Sequence, residues 1–330
     1  MQKFIFAFAL ASAALFACKD DETIVDEAAL APFRAAVDNK ITIKEFLEEG
    51  AKIPDALVNL GRMLFYEERL SLDNTISCNT CHDLKNFGVD DEMLSPGVDG
   101  KLGDRNSPTV YNASIQFVQF WDGREPTVEA QALGPILNPV EMAMPDAKSV
   151  VNKLKGIAGY LSHFQAAFPD EAEPIAWENI GKAIGAFERR LITPTRFHKF
   201  LAGDTKALTE EEQRGLKTFI DVGCAVCHQG PGVGGTSIRR LGSAAKPWPT
   251  NDLGQGNYRF KVPILLNITE TAPYSHNGQI ETLEEMVKMM ANHQLDRALT
   301  ALETQSILTF LKTLKGEIPE DFIKKPELPK

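Results

Sequence analysis

Two short runs with the same pattern, two cysteines separated by two residues and followed by histidine, constrain this chain more than any other feature. They comprise Cys78, Cys81 and His82 in the first copy and Cys224, Cys227 and His228 in the second. Two thiols one helical turn apart can each bond to a vinyl group of one porphyrin, and the adjacent histidine can ligate its iron. With 5 Cys and 6 His in the chain, chance produces such a run roughly 0.001 times. The sequence therefore predicts two covalently bound c-type haems.

Zinc and thiol redox chemistry are the alternative explanations for these runs. A zinc site would draw all four thiolates into one isolated ribbon-like module, whereas each run here is complete and the two are far apart in the chain. A net charge of −10 and the lack of any basic run argue against nucleic acid as a partner. A chain of 330 residues, 43% of them hydrophobic, is long enough for two domains.

The amino terminus has the pattern of an export signal. Residues 1–17 carry Lys3 and then an apolar run that is too short to span a bilayer, which predicts a signal peptide. The run ends before Cys18 in a pattern that resembles the bacterial lipobox. The alternative is an ordinary signal cleaved nearby, which would leave Cys18 as a free thiol. We expect a periplasmic lipoprotein anchored through Cys18, with residues 18–45 as an acidic, solvated tether.

The chain also repeats a helix pattern around each run, which predicts two copies of one module. An amphipathic helix precedes each run and places Gly61 four residues before Phe65, and Gly215 four residues before Phe219. A second apolar stripe closes each module, from Ile180 to Leu191 and from Ile307 to Leu314. Thr209 and Thr300 are predicted to open two of these helices with capping boxes.

The predicted fold is mostly α, with two domains joined by long irregular loops. Residues 46–193 and 194–330 form the domains, each with one covalent c-type haem, and the linker lies near residues 193–206. Residues 83–173 show little periodicity, and a compact domain seldom carries so much irregular chain without a function. We therefore expect catalytic residues in this stretch. The packing of an opening helix against a closing helix beside each haem resembles the cytochrome c fold.

From about Pro54 to Leu314 the chain resembles the bacterial di-haem cytochrome c peroxidases. The motifs that carry the resemblance are C-N-T-C-H, R-N-S-P-T, F-W-D-G-R, N-P-V-E-M, C-A-V-C-H and T-A-P-Y-S-H-N-G. The resemblance implies reduction of hydrogen peroxide at the His82 haem. It assigns Glu141 as the base that moves a proton between the peroxide oxygens, and Gln131 as a hydrogen-bond donor. It places Trp121 between the haems, where it assists electron transfer.

The resemblance also implies further ligands. The second haem would take its sixth ligand fourteen residues after His276, at Met290, with Met289 and Met286 as fallbacks; a thioether favours electron storage. A calcium ion would lie between the domains, and the matching positions are Asn106, Thr271 and Pro273.

One position departs from the family pattern. Typical members close the first haem at rest with a loop histidine, and the aligned residue here is Val98, which cannot ligate iron. The sequence has no histidine between His82 and His163. We therefore hypothesise a His82 haem that is open at rest and needs no reductive activation. Met93 and His163 are the candidates for a substitute ligand.

Two other functions compete with the peroxidase. A MauG-type oxidase or protein-maturing enzyme also lacks the loop histidine, but there the second haem carries tyrosine where this chain has Met290. A non-catalytic di-haem electron-transfer cytochrome would need six-coordinate iron at both sites. For the peroxidase, the electron donor would be a small c-type cytochrome or a copper protein. The resemblance also implies a homodimer.

Overall fold

The computed structural model describes residues 24–37 and 39–330. These residues fold mainly into helices, as predicted, and the single named sheet among them is an antiparallel pair. In chain order the α-helices are α1 Ile43–Lys52, α2 Asp55–Phe65, α3 Cys78–Cys81, α4 Val128–Gln131, α5 Gly134–Leu137, α6 Ala147–Lys155, α7 Tyr160–Ala167, α8 Trp177–Glu188, α9 Arg196–Leu201, α10 Glu210–Val222, α11 Leu283–Gln294 and α12 Ala301–Leu311. The strands are β1 Ile238–Arg240 and β2 Arg259–Lys261. No described helix is both long and apolar enough to cross a membrane.

The first hydrophobic core forms where α2 crosses α8. Gly61 makes the crossing possible, because a Cβ atom there would lie 2.6 Å from the carbonyl carbon of Ala183 and would overlap its oxygen. One turn further on, the rings of Phe65 and Phe187 meet edge to face with centroids 5.4 Å apart. Both rings are fully buried. The glycine and the aromatic pair thus hold the opening and closing helices of the first module together.

The second core repeats this arrangement with α10 and α12. A Cβ atom on Gly215 would overlap the carbonyl oxygen of Ser306, and the rings of Phe219 and Phe310 lie 5.2 Å apart. Thr209 and Thr300 form the predicted capping boxes at the starts of these helices. The predicted pairing of an opening with a closing helix therefore occurs in both halves of the chain.

Both ends of the described chain cross to the opposite core. Val25, Leu30, Phe33 and Val37 are buried in the second core, so the prediction of a solvated tether is wrong for residues 24–37. Their acidic neighbours face solvent while the apolar side chains pack inward. The prediction rested on the charge content of the segment and did not consider this alternation. The signal peptide, Cys18 and Asp38 lie outside the described residues.

The carboxy-terminal tail packs on the first core. Ile323 is buried there, and its carbonyl oxygen accepts a hydrogen bond from the hydroxyl of Tyr66. Further along, the carbonyl oxygen of Pro329 accepts a hydrogen bond from the Arg69 guanidinium at 2.7 Å. The domain boundaries stay a prediction, and each core draws on segments from outside its predicted range.

Two stretches are more ordered than their sequences indicated. Residues 83–173 contain α4 to α7, so the prediction of irregular chain is wrong for residues 147–155 and 160–167. Asp146 caps α6, and α7 begins after Gly159 in the left-handed conformation, a start without a capping side chain. The expected linker contains α9, which Thr195 caps and whose Phe197 is fully buried in the second core.

The polypeptide between the cores is fixed by two asparagines in equivalent roles. The Asn112 side-chain oxygen accepts a hydrogen bond from the Thr193 N–H, and that of Asn267 accepts one from the Gly316 N–H, both at 2.8 Å. Both asparagines are fully buried with positive φ, and both side-chain amides donate to the Thr193 hydroxyl, at 2.8 and 2.9 Å. This network joins the two halves through hydrogen bonds that no solvent reaches.

Candidate functional site

Each cysteine-histidine run folds into one tight turn. Residues Cys78–Cys81 form α3, and Cys224–Val226 form a 3-10 turn. The backbone N–H of His82 donates to the carbonyl of Cys78, and that of His228 donates to Cys224, both at 3.0 Å. The turns therefore bring both thiols of each run and its histidine to one side of the chain, as covalent attachment of a porphyrin requires.

The two histidines are prepared as metal ligands in the same way. The Nδ1 atom of His82 lies 3.3 Å from the carbonyl oxygen of Gly88, and that of His228 lies 3.3 Å from the carbonyl oxygen of Val233. A carbonyl can only accept, so Nδ1 carries the proton and Nε2 keeps its lone pair. Burial lowers the pKa of both rings, that of His228 to about 4. Both imidazoles are thus neutral and available to bind iron.

Two cavities of different character adjoin these turns. The first cavity, of about 1060 Å³, is lined by Cys78, Cys81 and His82. The second cavity is lined by Cys224, Cys227 and His228. Polar side chains of the first cavity include Arg105, Asp122, Arg124, Gln131, Glu141 and Glu188. Apolar side chains of the second include Leu241, Trp248, Ile264, Leu283, Val287 and Met290. The halves share a helix arrangement but differ in the chemistry that they offer to a bound group.

Cationic side chains beside the cavities fit a porphyrin that carries carboxylates. Lys261 is 5% exposed and lines both cavities, and burial lowers its pKa to about 7 although Asp122 favours the charged form. Arg240 lines the second cavity, and its buried Nε has no hydrogen-bond partner among the described residues. Buried cations need anions nearby. The propionates of a haem supply such anions, so the residues present suit the predicted cofactor.

Glu141 and Gln131 both line the first cavity, as the resemblance implies for a peroxide site. The Asn138 side-chain amide donates to Oε1 of Glu141 at 2.7 Å. Burial raises the pKa of Glu141, an effect that Asn138 and then Arg124 oppose. Gln131 ends α4, whose first turn is capped by Thr127. A carboxyl group of raised proton affinity and an amide thus lie in the cavity that contains His82.

Trp121 lines both cavities. Its indole N–H donates to the carbonyl of Asn106 at 2.9 Å, and its backbone carbonyl accepts from the Lys261 N–H at 2.8 Å. The indole meets the His276 ring edge to face, with centroids 6.5 Å apart. The indole is therefore held by two neighbours, and its position between the haems stays a prediction.

Of the three methionines proposed for the second haem, Met290 and Met286 line the second cavity, and Met289 is not among its described lining residues. All three lie on α11, which Thr282 caps. Met290 and Met286 are one helical turn apart and so face the same side of the helix. The sixth ligand stays a prediction, with Met286 as the nearer alternative to Met290.

The candidates for closing the first haem lie in different places. Val98 is 2% exposed, and its N–H donates to the carbonyl of Glu141 at 2.8 Å. Neither Val98 nor His163 is among the described residues that line the first cavity, whereas Met93 lines it and is 48% exposed. His276 also lines it, but its ring nitrogens face the hydroxyls of Ser275 and Thr250, at 3.2 and 2.9 Å. Val98 thus braces the Glu141 turn.

The residues matched to calcium, Asn106, Thr271 and Pro273, all line the second cavity. The Asn106 side-chain amide donates to the carbonyls of Glu92 and Met93 at 3.0 and 3.4 Å. These bonds orient the amide and leave its oxygen, which is a hard ligand suited to calcium. The calcium site stays a prediction.

Sequence reasoning missed Lys261, Glu188 and the paired asparagines. The paired asparagines could have been found from the sequence, because each follows a proline by four residues. Pro108 precedes Asn112, and Pro263 precedes Asn267. That repeat marks the same point in both modules. Lys261 and Glu188 could not be predicted, because charged residues are usually exposed and the local sequence does not indicate that these two are buried.

Comparisons with known proteins agree with this geometry. A family model described as di-haem cytochrome c peroxidase matches residues 55–206. A cytochrome c551 peroxidase of Pseudomonas aeruginosa is 38% identical over 293 residues, which cover 85% of this chain and 84% of that protein. The chain belongs to the di-haem cytochrome c peroxidase family. The resemblance seen in the sequence and the predicted enzyme class, a cytochrome c peroxidase, are thereby confirmed.

Two further relatives extend the comparison. A cytochrome c551 peroxidase of Nitrosomonas europaea is 40% identical over 286 residues, 83% of each chain. A solved structure of a MauG-like protein associated with microbial copper homeostasis has a TM-score of 0.74 and 28% identity, and it covers 89% of this chain and 96% of that one. The peroxidases are thus more similar in sequence than the MauG-like protein. Family membership implies two c-type haems.

Proposed function

We propose that this protein reduces hydrogen peroxide to water at a haem held by Cys78, Cys81 and His82. Electrons from a small c-type cytochrome or copper protein would reach it through the haem held at His228 and Met290. The difference between the two cavities carries this proposal. One contains a carboxyl and an amide for acid-base chemistry, the other is apolar with a thioether, and Trp121 lines both.

When bound, the first haem supplies an iron at which the peroxide bond is cleaved. The protein must then move a proton from the near oxygen of peroxide to the far one, so that water can leave. Asn138 occupies Oε1 of Glu141, which leaves Oε2 to accept that proton and return it. Because burial raises the pKa of this carboxyl, it binds the proton more readily than an exposed glutamate would. The Gln131 amide would donate a hydrogen bond as charge develops.

Electron supply is the task of the second cavity. Met290 would hold the second haem through its thioether, which would raise the reduction potential relative to two imidazoles, and the apolar lining of this cavity would keep peroxide away. Trp121 is held by Asn106 and His276, and it lines both cavities, where it would assist electron transfer between the bound haems. In a MauG-type enzyme the ligand position holds tyrosine, and methionine at 290 favours the peroxidase.

The proposal also includes an open first haem, a calcium site and export. Val98 would leave the His82 haem open at rest, because a valine that donates only its N–H to Glu141 offers iron no ligand. Calcium at Asn106, Thr271 and Pro273 would fix the loops between the two halves. Export to the periplasm, the lipid anchor at Cys18 and a homodimer belong to the same proposal.

Steady-state turnover tests the proposal. The haem-loaded protein is given hydrogen peroxide and a reduced small c-type cytochrome, and donor oxidation is followed by absorbance. Glu141→Gln keeps the size of the side chain but removes the base, and we expect kcat/KM for peroxide to fall by about 10²- to 10⁴-fold. The exposed Glu178→Gln on α8 serves as the control. Donor oxidation that is absent in the unmodified protein, or unchanged in Glu141→Gln, would contradict the assignment.

A further inference from the structure

The first cavity contains a second carboxyl group that the chemistry above does not use. Glu188, the last residue of α8, is 4% exposed and lines the first cavity. Its Oε2 atom is buried and has no hydrogen-bond partner among the described residues. A carboxylate in such a place would lose its hydration without a hydrogen bond at Oε2 to compensate. This position favours the protonated form of Glu188.

A partly exposed ion pair acts on this carboxyl. The Arg189 guanidinium donates from Nε and a terminal nitrogen to both oxygens of Glu129, at 2.5 and 3.0 Å. About a quarter of each side chain is exposed, 28% for Arg189 and 26% for Glu129. The pair is partly exposed to water, and both of its members act electrostatically on Glu188, which lines the first cavity.

The backbone of α8 packs closely against Glu129, one member of the ion pair. A Cβ atom on Gly181 would lie 2.5 Å from the carbonyl oxygen of Glu129, and one on Gly185 would lie 2.5 Å from its Cγ atom. Glycine at both positions lets α4 lie directly on α8. Arg189 donates two hydrogen bonds to Glu129, and its charge offsets only part of the effect of burial on Glu188.

The charges that face Glu188 agree with a protonated resting state. Burial raises its pKa to about 8; the negative charge of Glu129 adds to the effect and Arg189 opposes it. From α3 it faces the Cys78 thiol, which is bound to porphyrin in the mature protein, and Glu141 influences the same thiol from across the cavity. A group of this affinity can release and rebind a proton near neutral pH.

Peroxide reduction needs such a group. One hydrogen peroxide, two electrons and two protons give two waters; the donor supplies the electrons. Glu141 only moves a proton between the two oxygens of peroxide, so both consumed protons must come from water. We propose that Glu188 stores and delivers these protons, and that it is refilled along the Glu129–Arg189 side. This inference rests on the proposed peroxidase function and adds to it the route of proton uptake.

Infrared spectroscopy tests the resting state of Glu188 without peroxide. The oxidised haem-loaded protein should show a protonated-carboxyl C=O band that disappears as the pH rises through about 8, and Glu188→Gln should lack it. In Glu129→Gln the released Arg189 can pair with Glu188, so the same band should disappear at lower pH. A Glu188 that is already ionised at pH 6 would overturn the inference. If Glu188→Gln folds poorly, the shift of the band in Glu129→Gln still tests the assignment to Glu188.

Kinetics test the delivery. We expect Glu188→Gln to lower kcat at saturating peroxide by about tenfold to a hundredfold and to change the solvent deuterium isotope effect, with KM for peroxide retained. Glu188→Asp, which keeps a carboxyl group, should restore most of kcat, and the exposed Glu178→Gln should match the unmodified protein. If the unmodified protein turns over peroxide and Glu188→Gln does so equally fast, this inference fails alone. If the unmodified protein shows no turnover while the infrared titration of Glu188 is as expected, the proposed function fails instead.

Discussion

Replacement of Gly61 by alanine tests whether the opening and closing helices of the first module touch as described. The new Cβ atom would lie 2.6 Å from the Ala183 carbonyl carbon, whereas carbon atoms in contact are about 3.5 to 4.0 Å apart. The helices would have to separate by about 1 Å over their length. Overpacking of this kind costs about 1 to 3 kcal/mol or more, and the helix preference of alanine returns about 1 kcal/mol.

We therefore expect Gly61→Ala to lower the free energy of unfolding by about 2 kcal/mol and Tm by roughly 4 to 8 °C. Thermal unfolding of the haem-loaded protein, followed by haem absorbance, measures the change. Gly156→Ala is the matched control, because Gly156 ends α6 with φ −78° and the nearest atom to a new Cβ is 3.4 Å away. A Gly61→Ala protein as stable as this control would refute the close crossing of α2 and α8.

Two further predictions concern the second haem and the buried carboxyl. Met290→Ala should abolish the spectral signature of sulfur ligation, whereas Met286→Ala and Met289→Ala should keep it. A visible or near-infrared absorption spectrum of each variant measures this signature. If only Met286→Ala loses the signature, Met286 is the ligand. Because the pKa of Glu188 is raised, its contribution to stability is present below about pH 4.5 and is lost as the pH rises towards 8. Glu188→Gln should thus gain stability relative to the unmodified protein between pH 5 and 8, by up to roughly 4 kcal/mol, in denaturant titrations. If the difference in unfolding free energy between the two proteins does not change with pH, Glu188 is not protonated in the folded state.

The sequence predicted the helices around each haem better than the chain between them. Gly61 and Gly215 recur in register with Phe65 and Phe219, and each glycine meets a carbonyl of the closing helix. Such spacing is local and readable. The burial of Phe33 in the second core was not readable, because it depends on contacts with distant residues such as Phe197, whose ring centroid is 5.2 Å away.

The same contrast holds for the candidate site. Glu141, Gln131 and Trp121 could be named from their motifs, and all three line the first cavity. Glu188 and Lys261 could not, because their importance lies in burial that distant segments create. Lys261 lies on β2, and Trp121 precedes it by more than a hundred residues, yet the two are joined by a backbone hydrogen bond of 2.8 Å.

The central claim is that the iron at His82 is open while the iron at His228 carries a protein ligand on both sides. Rapid mixing of the fully oxidised protein with hydrogen peroxide, followed by absorbance and by electron paramagnetic resonance of the resting sample, tests it most directly. We predict one high-spin and one low-spin ferric haem at rest, and a prompt reaction with peroxide before any electron is added. Two low-spin haems, with a reaction only after reduction by one electron, would contradict it.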